Sequence, residues 1–174
     1  SPTSTAVASG GHQNTFGGFI DAFIVKFNSA GIRLWSSYYG GNNEEAGVGA
    51  AVDLAGNIYL SGSTRSTSNV SFGGYQNNHN GDLDAFIVKF TSTGNRLWAS
   101  YYGGSGEDEN FGCATDVSGS NVYLVGRTGS STNISSGGHQ NIYNGSMDAF
   151  VAKLEASSCP FTTGTDSITV CNSS

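Results

Sequence analysis

The chain has 174 residues, enough for one domain with a sizeable core. Its 26 glycines, two prolines and 11% charged residues are far from the usage of a helical protein. The formal net charge is −6, and the few Lys and Arg form no basic stripe of the kind that binds nucleic acid. No apolar run approaches the ~20 residues of a membrane helix.

Residues 1–20 read as a loop that also carries the tail of a repeat. Gly10–Asn14, GGHQN, returns as GGYQN at Gly73–Asn77 and as GGHQN at Gly137–Asn141. Ala22 to Phe27 alternates as a strand, with Phe23, Val25 and Phe27 on one face and Ala22, Ile24 and Lys26 on the other. Asn28–Gly31 is the turn, and Ile32 to Tyr39 is the return strand of a hairpin. An acidic loop, residues 42–47, follows. Gly49 to Leu54 and Asn57 to Ser63 form a second hairpin about a turn at Ala55-Gly56. A polar loop spans Thr64 to Asp84. Then Asp84–Gly104 repeats Asp21–Gly41, identical at 17 of 21 positions.

The period is 63 residues from Asp21 to Asp84 and 64 from Asp84 to Asp148. The extra residue, Ser120, falls in the turn between the strands at Gly112–Val117 and Asn121–Thr128, where an insertion disturbs little. Residues 1–41 are therefore the second half of a unit. Residues 42–104 are a complete four-stranded unit, and residues 105–158 are a third, incomplete one. Residues 159–174 do not repeat and read as a tail, a closing strand or the start of a following module. Four short antiparallel strands per repeat predict an all-β fold of β-propeller-type blades.

The pattern DAFIVKF…G…RLW…YYGG…D…GNIYLSGST resembles the bacterial β-propeller repeat family, also called the seven-bladed β-propeller repeat. The resemblance covers about residues 9–157. It implies a large secreted bacterial surface protein without assigned activity. The longer Ser/Asn-rich loop between hairpins departs from the family pattern. Nine or ten strands are too few to close a ring, since propellers take at least about four blades. The chain, which opens at Ser1, is then a piece of a longer propeller or a subunit whose open blade edges are completed by copies of itself.

Candidate chemistry is sparse. His12, Tyr75 and His139 occupy one repeat position, and Phe16, His79 and Tyr143 another. Rings replace rings, which points first to packing. The alternative is a set of equivalent glycan-binding loops, built on His12, Tyr75, His79, His139 and Tyr143, that gain by multivalency. Glu44-Glu45 and Glu107-Asp108-Glu109 recur at one place and read as solvated loops. Glu44, Glu45, Glu107 and Asp108 are weak calcium candidates without the spacing of a dedicated site. Asp21, Asp84 and Asp148 read as turn-capping residues, and Trp35 and Trp98 as filling between units. Cys113 aligns with Ala50 as a small core residue. Cys159 and Cys171 are a candidate disulfide in an oxidising compartment. No catalytic set emerges, and no cofactor is expected. The expected role is an extracellular, non-enzymatic structural or adhesive module that self-associates through its open edges, with copies of itself or adjacent repeats as partners.

Overall fold

The computed structural model describes residues 7–156, and the candidate disulfide Cys159–Cys171 lies outside them. The described chain is all-β. Its strands are β1 (Ala22–Phe27), β2 (Arg33–Tyr39), β3 (Glu45–Val52), β4 (Ile58–Thr64), β5 (Asp84–Phe90), β6 (Arg96–Tyr102), β7 (Asp108–Thr115), β8 (Asn121–Thr128) and β9 (Asp148–Glu155). They form three small antiparallel sheets: β1-β2, β3-β4-β5-β6 and β7-β8-β9. None closes into a barrel. Among the described residues no helix is long and apolar enough to cross a membrane.

The repeated text folds into repeated geometry. Ala22 pairs with Tyr39 as Ala85 pairs with Tyr102, and both hairpins shift register one residue before the end, at Lys26/Phe27 and Lys89/Phe90. The turns match as well. Gly31 and Gly94 take positive φ, 75° and 87°, which only glycine adopts cheaply. Their N–H groups donate to Asn28 O and Thr91 O at 3.0 Å each.

The sheets stack face to face, with one core cluster in each junction. Phe86, Val88 and Phe90 of β5 point back to Ala22, Ile24, Trp35 and Tyr39. Ala85 and Ile87 of the same strand point forward to Val122, Leu124, Phe150, Ala152 and Leu154. Alternation along β5 therefore feeds both clusters, and every residue of it is buried. Close contact is enforced within the sheets too. A Cβ on Gly62 or Gly126 would lie 2.0 Å from a carbonyl oxygen of the neighbouring strand, Ala46 or Glu109.

One expectation needs correction. The acidic stretches do not form solvated loops, because β3 starts at Glu45 and β7 at Asp108, both earlier than expected and both buried. Their backbone N–H groups donate to Ile20 O and Leu83 O at 2.7 Å, tying each new sheet to the segment that enters the previous hairpin. The long polar loop also pairs with a strand edge. Phe72 and Ala99 exchange backbone bonds of 2.8 Å, and Tyr101 N–H donates to Gln76 O at 3.0 Å. Ser9 and Gln13 bond Ser36 and Tyr38 in the same way. The loops thus cover the outer edges of β6 and β2, blunting edges that would otherwise pair with another chain. Among the described residues the first sheet has two strands and the third has three.

Candidate functional site

The aspartates that open β1, β5 and β9 organise the loops before them. Asp21 accepts from Gly17 N, Gly18 N and the Gln13 amide at 2.8, 3.2 and 3.0 Å. Asp84 accepts from Asn80 N at 2.9 Å and Gln76 Nε2 at 3.2 Å. Asp148 accepts from Asn144 N at 2.8 Å. Each carboxylate helps to hold the Gly- and Asn-rich loop before its strand.

The second acidic position closes the sheets. Glu45 accepts from Gly41 N at 2.8 Å and from the Thr64 hydroxyl at 2.5 Å. Asp108 accepts from Gly104 N, Ser130 Oγ and the Thr128 hydroxyl. These oxygens already face donors. Glu44 and Glu107 are exposed, and Glu107 lies 3.8 Å from Arg65. Among the described residues no three His, Cys, Asp or Glu side chains converge as a metal site would require.

In the middle unit the two acidic positions meet. A Cβ placed on Gly103 would lie 2.4 Å from Asp84 Oδ1 and 3.0 Å from Asp108 Oδ2, so glycine is needed there. Asp84 Oδ1 is buried without a hydrogen-bond partner. Burial, joined by the nearby Asp108 charge, pushes the Asp84 carboxyl up to about 7.

The candidate ring positions behave alike in successive units. Phe16 meets Tyr38 edge-on at 5.7 Å, and His79 meets Tyr101 edge-on at 5.6 Å. His12 lies 6.3 Å from Tyr39, and Tyr75 lies 6.4 Å from Tyr102. His79 Nε2 is also 3.2 Å from Thr64 O. His139 is exposed and Tyr143 half-buried in the third unit, where no described strand follows β9 for their loop to cover. The structure does not bring these residues together into one site. It spreads them, one pair per unit.

His12 does border a cleft of about 510 Å³ between the first two sheets, with Gln13, Asn14, Asn42, Asn69 and Arg96. Burial and the Arg96 charge lower the His12 pKa, favouring the neutral ring. Arg96 stacks over the Phe72 ring at 4.6 Å. Sequence reasoning missed Arg96 as a cleft residue because its repeat made it look like any other strand position.

The junctions carry a second repeated device. Lys26 Nζ donates to Ser92 O at 2.8 Å and Lys89 Nζ to Ala156 O at 3.0 Å. Each lysine reaches from one sheet to a carbonyl just past a strand of the next, β5 or β9. Lys89 also lies 3.7 Å from Asp53 and 5.1 Å from the centroid of the Tyr59 ring. Burial lowers the Lys89 pKa, and Asp53 opposes that shift. Trp35 Nε1 shares Ser92 O at 3.1 Å, whereas the equivalent Trp98 Nε1 is buried without a partner. Cys113 is a free, half-buried thiol whose pKa is raised by burial.

No protein-family model matches the chain, and no curated protein matches it significantly.

Proposed function

We propose that the chain is a non-enzymatic, extracellular structural or adhesive module that joins to more of its own kind. The observation that carries this reading is the open apolar face at each end of the described stack: Phe23 and Phe27 of β1 are 60% and 54% exposed and Val151 of β9 is 74% exposed, whereas the repeat-equivalent Phe86, Phe90 and Ile87 of β5 are fully buried. Apolar faces left open favour association. The resemblance to bacterial β-propeller repeats supports a secreted, surface-located protein. So does the composition, low in Lys and Arg and rich in Ser, Thr, Asn and Gly. The acids that recur with the repeat are engaged in holding loops and sheet ends, which fits a structural role. Light scattering and electron microscopy of one sample test the proposal. Rings or filaments that grow with concentration support it, and a strictly monomeric, protease-resistant particle contradicts it.

A second reading is a glycan-binding module, favoured by the cleft between the first two sheets. Its lining of amides, His12 and Arg96 offers donors and acceptors suited to hydroxyl-rich ligands. A glycan screen tests it. Binding lost in His12→Ala and Arg96→Ala supports this reading, and a screen without hits removes it.

A further inference from the structure

We propose that a second copy of this chain docks head-to-tail, its first sheet laid on the third sheet of the copy before it. The inference rests on the assembly reading above and names its two surfaces.

The interface it needs is already built twice inside the chain. In the first junction the forward face of β1, Ala22 and Ile24, meets the back face of β5, Phe86, Val88 and Phe90. In the second, the forward face of β5, Ala85 and Ile87, meets the back face of β9, Phe150, Ala152 and Leu154. Each terminal sheet presents one half of the same interface to solvent. The back face of β1 carries Phe23, Val25 and Phe27, one period before Phe86, Val88 and Phe90. Phe23 and Phe27 are 60% and 54% exposed where their counterparts are 0%. The forward face of β9 carries Ala149, Val151 and Lys153, one period after Ala85, Ile87 and Lys89. Val151 is 74% exposed where Ile87 is 0%. Apolar side chains left open in this way gain by burial in proportion to area.

The lysines fix the register. Lys26 and Lys89 each donate to a carbonyl of the following sheet just past β5 or β9, Ser92 O and Ala156 O. Lys153 is the third of the series and is exposed. Its acceptor on an arriving copy is the carbonyl of Ser29, one period before Ser92. Neither face suits itself. Two forward faces would bring Lys153 against Lys153, and two back faces would leave both lysines unpaired. The contact is therefore heterologous, closing into a ring if the rotation closes and running into a filament if it does not.

Two variants of the full chain test this. Phe23→Ser with Phe27→Ser removes the back face, and Lys153→Glu inverts the forward one. All three residues are exposed or partly exposed, and circular dichroism with a thermal melt checks that both variants fold like the parent. Each variant alone is expected to associate at least about tenfold more weakly than the parent chain. An equimolar mixture is expected to give a one-to-one heterodimer and nothing larger, because each variant retains the half that the other lacks. Variants that still assemble like the parent, or a mixture that stays monomeric, overturn these surfaces while the assembly reading stands. A parent chain that is monomeric at every concentration overturns both.

Discussion

Strands β5 and β9 begin with the same Asp-Ala-Phe, share a lysine at the same place, and meet different fates. Every residue of β5 is buried, while β9 alternates between buried and exposed. Strand β1, whose six residues are identical to the last six of β5, alternates too, with the opposite face open. Local sequence therefore decides strand, register and turn. The number of neighbouring sheets decides what a side chain is worth. A phenylalanine on the back face is core in one unit and surface in another, with nothing in its flanking residues to tell the two apart.

The largest contrast is expected at that phenylalanine. Phe86→Ala empties a fully buried site and is expected to cost about 3–5 kcal/mol, whereas Phe23→Ala, on the open face, costs under about 1 kcal/mol in the monomer. Urea unfolding of the two variants at low concentration measures both. Equal losses would break the comparison.

The lysines give the next contrast. Lys89→Met leaves Asp53 buried without its cation and is expected to cost about 3 kcal/mol. Lys153→Met is expected to change monomer stability by no more than about 0.5 kcal/mol. Thermal melts of the pair decide the point, and a costly Lys153→Met would mean that the third sheet is already covered.

The buried aspartate sharpens the comparison through pH. Asp84 has a folded pKa of about 7, above its ordinary value of 3.8. The folded state therefore holds the proton more tightly than the unfolded state. Its contribution to stability is present in full below the ordinary value and is lost as pH rises through about 7. Asp84→Asn is expected to flatten the fall in stability between those limits, read from unfolding midpoints across the range. A fall of unchanged steepness would assign it to other groups.

The smallest effect is expected at the surface. Arg127 and Glu109 pair at 2.7 Å with both side chains substantially exposed. Arg127→Ala is expected to cost about 0.2–1 kcal/mol, less in high salt.

Much of the fold was legible in the sequence for a physical reason. Alternation, glycine turns and a 63-residue period act locally, so the nine strands could be counted and the place of the Ser120 insertion read directly, although β3 and β7 begin four residues earlier than expected. The acidic stretches misled because charge suggests solvent, whereas Glu45 and Asp108 are buried against the N–H groups of Gly41 and Gly104 and against the hydroxyls of Thr64 and Ser130, which are distant in sequence. The outer-edge pairing of residues 72–76 was hidden in the same way. Its partners lie on β6, more than twenty residues on, and although the GGHQN text recurs, its residue types show no strand alternation that would reveal the pairing. The candidate ring positions were visible as a series. Their spacing into one pair per unit, and the cleft at His12 and Arg96, required coordinates.

The most direct test of the account is hydrogen exchange of β1, β5 and β9, followed by mass spectrometry across a series of protein concentrations. Near-identical strands with different neighbours should exchange differently. The account predicts that β5 is the slowest of the three at every concentration, and that β1 and β9 become protected together as concentration rises. Equal protection of all three in dilute solution, or protection of β1 and β9 that ignores concentration, would contradict it.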